Sequence, residues 1–165
     1  MPDDFVYLDV LPLRSAEDVG GFSLAATRRR GVAYAVTMDG AGRFRVFRRG
    51  ECAELVAYLR TAGCVVGYHL DFDFDLVRGE VPFKRPRCLD LLTMVAESAG
   101  RRLSVRSAVR RTLGKVPVPD PFATQRAAAA GDWTKVEGAM KRKLRLFARL
   151  HDHLLQHGLS EDEQE

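Results

Sequence analysis

No apolar stretch of this chain approaches the roughly 18 residues a membrane-spanning helix needs, so no span is expected. Cysteine is scarce. Cys52, Cys64 and Cys88 are odd in number and widely spaced, and none forms a Cys-x-x-Cys pair, which argues against a disulfide framework and a zinc site and leaves packing as their expected role. The opening Met1-Pro2-Asp3-Asp4 is acidic where a secretory signal would be basic, and a cytoplasmic protein is expected. No internal repeat is present. With 165 residues, 46% of them hydrophobic, the chain can bury one sizeable core. One globular domain over residues 1–158 is expected, followed by an acidic, disordered tail at 159–165.

Net charge is only +4, but it is unevenly spread. The segment Ser160-Glu161-Asp162-Glu163-Gln164-Glu165 carries four acids and no base, leaving 26 basic against 18 acidic residues elsewhere. Residues 101–149 hold Arg101, Arg102, Arg106, Arg110, Arg111, Lys115, Arg126, Lys135, Lys141, Arg142, Lys143, Arg145 and Arg149, opposed only by Asp120, Asp132 and Glu137. One reading is the wet faces of amphipathic helices. The other is a surface that contacts phosphates.

Residue patterning predicts a mixed α/β fold. Phe5-Val6-Tyr7-Leu8-Asp9-Val10-Leu11 reads as a buried central strand that carries an acid, and 14–21 as a polar loop with paired glycines. Strands are expected at 32–38 and 43–47, with the hairpin signal Asp39-Gly40-Ala41-Gly42 between them, so the first three strands form an antiparallel meander. Apolar residues at helical spacing over 51–61, stopped by Gly63, predict a crossover helix leading to a parallel strand at 64–68. Helices are expected at 90–98, at 104–113 and at 133–156, the last capped by Asp132. The proline-rich 116–121 reads as a loop. A fifth strand near 85–88 completes a five-stranded sheet with helices on both faces.

Several motifs lie on this frame. Leu8-Asp9-Val10-Leu11-Pro12 is followed by Asp18-Val19-Gly20-Gly21. Gly67-Tyr68-His69 precedes Phe72-Asp73. Leu89-Asp90-Leu91-Leu92 is followed by Leu113-Gly114-Lys115, and Gly131-Asp132-Trp133-Thr134-Lys135-Val136 leads into the last helix. In these segments the chain resembles the ribonuclease-H-like 3′–5′ exonuclease domains of the DEDD superfamily, especially the bacterial group encoded with or fused to helicases. The likeness spans about residues 5–158.

That resemblance implies catalysis by two divalent ions about 4 Å apart, held by four carboxylates, with a tyrosine positioning the attacking water. Asp9 and Asp73 stand at two of the acid positions. Leu11 stands at the second acid, Ala139 at the tyrosine, Lys143 at the last acid, and His69 at a usual asparagine. Ligand charge falls from about −4 to about −2, and an isobutyl group cannot coordinate a hard cation. An ammonium about 4 Å from either aspartate would gain roughly 4 kcal/mol at an effective dielectric of about 20, so Lys143 is expected beside Asp9 or Asp73 in place of a metal. A buried Asp9 satisfied by neighbouring donors, Lys143 among them, fits the residues at least as well as a metal ligand, and both readings put Lys143 near Asp9.

The expectation is therefore a degenerate exonuclease-like domain that binds nucleic acid, as single strands or ends, without two-metal hydrolysis. Phosphate contacts are expected from Arg101, Arg102, Arg106, Arg110, Arg111, Lys141, Arg142 and Arg145. No cofactor is expected, with Mg²⁺ or Mn²⁺ at Asp9 and Asp73 if activity persists. Two alternatives stand beside it: a protein-interaction subunit meeting a helicase or another nucleic-acid-processing protein, and an active exonuclease with rearranged ligands.

Lesser signals carry less. Asp71, Asp73 and Asp75 have the spacing that opens a calcium loop, but Leu76 and Pro82 occupy the positions of its glycine and final glutamate. His153 and His157, at i and i+4 with His151 and Asp152 adjacent, suit a surface metal pair or, more plainly, polar helix-end residues. Ser104 and Ser107 have no histidine nearby to serve as base. Trp133 and Phe147 read as core.

Overall fold

The computed structural model describes residues 4–158, so the acidic segment 159–165 lies outside the described residues. The chain divides into two compact units, one running to Leu89 and the other beginning at Asp90.

The first unit is organised by β1 (Phe5–Pro12), in which Val6 through Leu11 are all buried. β1 pairs antiparallel with β2 (Val32–Asp39) and parallel with β4 (Cys64–Gly67), and β2 pairs antiparallel with β3 (Phe44–Arg48). With β5 (Cys88–Asp90) the order is β3-β2-β1-β4-β5, the mixed five-stranded sheet of the ribonuclease-H-like expectation. The fifth strand begins where the predicted segment 85–88 ends. Because side chains alternate across a strand, Val6, Leu8 and Val10 enter the core with Ala35, Phe47 and Val65, while Tyr7, Asp9 and Leu11 take the opposite face. A near-continuous apolar run is what a strand covered on both faces requires.

Helix α2 (Cys52–Arg60) completes that core through Leu55, Val56 and Leu59. Burial pushes the Cys52 thiol up to about 11, as befits a packing thiol rather than a reactive one. The hairpin forms at the foreseen place: the Asp39 carboxylate accepts hydrogen bonds from the backbone N–H of Ala41 and of Arg43, each at 2.9 Å, and these hold its pKa below the ordinary carboxylate value.

Two helices of this unit escape the pattern reading. The first is α1 (Leu24–Arg30), which with a short 3-10 turn at Glu17–Val19 interrupts the expected meander between β1 and β2. It is short and rich in arginine, and its start is marked only by Ser23, whose hydroxyl accepts from the Ala26 N–H at 3.1 Å. The second is α3 (Leu70–Arg78), whose run Asp71-Phe72-Asp73-Phe74-Asp75 alternates like a strand although Leu70, Phe74 and Val77 form a helical stripe in the core. The acids of this run pair locally, Asp71 with Arg85 and Asp75 with Arg78, so no calcium loop forms. The contact with Arg85 holds the Asp71 carboxyl below its usual range.

In the second unit α4 (Leu91–Ala99), α5 (Val105–Leu113) and α6 (Pro121–Ala129) each pack on α7 (Trp133–His157). Asp90, Ser104, Asp120 and Asp132 cap the four helices by accepting from backbone N–H groups of their first turns. Ser104 thus has a structural task. The proline-rich segment is a loop only as far as Asp120. Pro121 opens α6 at the one position where its missing N–H costs nothing, which corrects the reading of 116–121 as wholly non-helical. Phe147 is core, whereas Trp133, at the start of α7, is 42% exposed.

Two outcomes follow from this packing. A Cβ on Gly79 would lie 1.9 Å from the Arg28 carbonyl oxygen, so α1 and α3 approach too closely for any side chain there. Gly79→Ala is predicted to cost about 3 kcal/mol in urea unfolding, the upper part of the overpacking range. His151, on α7, is 1% exposed and its pKa is lowered by burial from the ordinary 6.5. A depressed histidine pKa leaves stability at its full value above about pH 6.5. Below that pH the unfolded chain gains a proton that the folded imidazole refuses. Unfolding free energy should therefore decline on acidification from about pH 6.5, by at most about 1.4 kcal/mol per pH unit from this group. His151→Leu should remove that part of the slope.

Candidate functional site

Asp9 sits mid-strand opposite Val36 of β2, and Leu11 opposite Tyr34. Each of the two is 8% exposed. A carboxylate this buried needs partners, and Asp9 is not without them. The second acid arrives through a tight turn. After β4 the chain passes Tyr68 and reverses at His69, which has φ 63° and ψ 54°, the left-handed region, before α3 begins. Asparagine, aspartate and histidine are the non-glycine residues that best tolerate that region, which accounts for histidine at a place where the resembled family uses asparagine.

Gly67 makes this turn possible. A Cβ there would meet Leu70 Cδ2 at 2.5 Å and the Leu8 carbonyl oxygen at 3.1 Å, so its absence lets the first residue of α3 pack against β1 one residue before Asp9. α3 thereby packs on β1, and Asp73 lies in its first turn at 4% exposure. The backbone N–H groups of a first turn favour a carboxylate. Asp73 is likewise engaged by neighbouring groups.

A residue that sequence reading passed over flanks this helix. Arg30, 7% exposed, donates from Nε to the Arg14 carbonyl oxygen at 2.8 Å and lies 5.2 Å from the centre of the Phe72 ring. Burial lowers its pKa. The His69 ring stacks on Phe72 at 6.0 Å between centres with 22° between planes. No spacing rule connects residues 14, 30, 69 and 72. Backbone pairing of Arg14 with Arg30 and the packing of α1 on α3 bring them together.

Ala139 and Lys143, the other two positions the resemblance marks, belong to α7 of the second unit, where they are one turn apart. Ala139 is buried, while Lys143 is half-buried with Nζ 5.7 Å from the centre of the Phe147 ring. Among the described residues no three His, Cys, Asp or Glu side chains come together in an arrangement that could hold a metal ion.

The basic residues of the second unit differ in exposure. Arg101 and Arg102, which precede α5, are exposed, as are Arg106 and Arg110 one turn apart on it. Arg111 is half-buried. On α7, Lys135, Arg142, Arg145 and Arg149 are all exposed and follow a 7, 3, 4 spacing, which puts them on one stripe about 21 Å long at 1.5 Å per residue. Lys141 stands off this stripe and is paired with Glu137 at 3.5 Å. Of the eight expected phosphate contacts, six are therefore exposed and two partly covered. Lys135 and Arg149 join the stripe through helical periodicity.

No protein-family model matches the chain, and no curated protein matches it. Among solved structures it is similar to the family B DNA polymerase of the hyperthermophilic archaeon Pyrobaculum calidifontis, at TM-score 0.55 and 13% identity over 92% of this chain. It spans 24% of that polymerase's length. At this identity the likeness speaks for the fold, and the fold it supports is the ribonuclease-H-like one.

Proposed function

We propose that this chain is a degenerate DEDD-type 3′–5′ exonuclease-like domain that binds nucleic acid, as single strands or ends, and does not hydrolyse it by the two-metal route. The observation that carries the proposal is the exposed cationic stripe Lys135, Arg142, Arg145 and Arg149, with Arg106 and Arg110 on α5, in a segment with thirteen basic and three acidic residues. Phosphates attract such a surface whatever the base sequence, and binding releases condensed counterions. The likeness to a DNA polymerase points toward the same class of ligand.

The residues at hand do not suit a pair of hard cations. Leu11 offers hydrocarbon where a carboxylate would bridge ions, Lys143 holds a positive charge at the position of the last acid, and Ala139 has no hydroxyl to orient water. Asp9 and Asp73 are then structural acids. Leu11 contributes packing in exchange for charge.

A second reading, a protein-interaction subunit, is favoured by one feature. Phe22 is 87% exposed and Leu24 53%, close together in the chain at the start of α1, where a partner chain would cover them. Co-purification that survives nuclease treatment and is lost in Phe22→Ser would favour it.

Fluorescence anisotropy with a labelled single strand tests the first reading. Binding should weaken with added salt, with a logarithmic slope of about −3 if the four cations of the α7 stripe each neutralise one phosphate. Replacing Arg142 and Arg149 together by alanine should flatten the slope by about 1.4. Affinity that is absent, or indifferent to salt and to these substitutions, sinks the proposal.

A further inference from the structure

We propose that His153 and His157 form a two-imidazole chelate for a borderline transition dication, Cu²⁺, Ni²⁺ or Zn²⁺, on the last two turns of α7. They lie one turn apart on a single helix face, and the centres of their rings are 5.2 Å apart with 56° between the ring planes. With metal–nitrogen bonds of about 2.05 Å the centre of each ring stands about 3.2 Å from the ion, and two rings at a tetrahedral angle are then about 5.2 Å apart. The observed separation is of that size, so one ion can be shared once a nitrogen of each ring is turned toward it.

The surroundings support a cation. α7 ends at His157, and a helix's carbonyl-rich last turn carries partial negative charge. Leu150, His151 and Leu154 are buried beneath these turns and hold the backbone that presents the pair, while His153 is half-buried and His157 exposed, leaving the ion's outer side to water. Two nearby charges oppose one another: Arg149 lies one turn before His153, and Asp152 precedes it in the chain.

The pair differs from a catalytic His-Glu-x-x-His helix. Leu154 occupies the position of the glutamate, and no further His, Cys, Asp or Glu joins the pair among the described residues, so water fills the remaining positions and the site binds without catalysing. Imidazole prefers borderline cations over hard ones, which separates this site from the Mg²⁺ or Mn²⁺ chemistry of the resembled exonucleases. It stands independently of the nucleic-acid proposal.

Titration calorimetry of the full chain with CuCl₂, NiCl₂, ZnCl₂ and MgCl₂ tests it. One equivalent should bind, Cu²⁺ most tightly and Mg²⁺ not at all. His153→Ala and His157→Ala should each weaken binding by about tenfold or more, since the loss of either ring reduces a chelate to a single ligand. Alanine favours helix, so both variants are expected to fold, and far-UV circular dichroism checks this. As a second readout, substoichiometric Ni²⁺ or Cu²⁺ should broaden the His153 and His157 ring resonances ahead of those of His69. Absence of binding, binding undiminished in both variants, or broadening centred on His69 overturns the proposal.

Discussion

A carboxylate on a strand covered on both faces constrains everything around it, and Asp9 of β1 imposes that constraint here. Its neighbours in the strand are all buried, so its carboxyl group needs polar partners close by, and the turn after β4 sets α3 against β1. Gly67 permits the approach, His69 accepts the left-handed backbone that reverses the chain, and Asp73 joins through the first turn of α3. Gly79 then lets α1 close on α3, and Arg30 is buried against Phe72 as a result. Close approaches thus run outward from β1 through α3 to α1, and each link needs a particular residue for a steric or conformational reason.

A fold of this kind can keep its scaffold without two-ion chemistry, because the two make separate demands. Packing asks that position 11 be apolar or satisfied, and leucine meets that demand better than a glutamate without a metal. Two-ion catalysis asks for concentrated negative charge. Phosphate binding asks only for exposed cations spaced along a surface, and the α7 stripe provides them without any carboxylate. Under the proposed function, the second demand has been exchanged for the third.

Much of the fold was legible in the residues. The strands announced themselves by continuous apolar runs, the hairpin by Asp39-Gly40-Ala41-Gly42, and α4, α5 and α7 by capping residues and helical periodicity. What failed did so for physical reasons. The alternation of Asp and Phe in α3 imitates a strand because Asp71 and Asp75 pair with arginines while Asp73 is buried, and Pro121 reads as a breaker unless Asp120 is recognised as a cap. Asp9 and Asp73 stand out in the sequence by their place after apolar runs, and both are buried. Arg30 does not stand out, since its partners are a backbone carbonyl and an aromatic ring that only tertiary packing brings near. The exposed stripe was half legible: the count of cations is plain in the sequence, whereas the separation of Lys141 from Arg142 requires the helix.

The most direct test of the central claim is digestion of an end-labelled single strand by the purified chain in Mg²⁺ and in Mn²⁺, alongside Asp9→Asn and a form carrying Leu11→Glu, Ala139→Tyr and Lys143→Asp together. The account predicts an intact strand with the native chain in either metal. Stepwise shortening from the 3′ end by the native chain, abolished by Asp9→Asn, would contradict it.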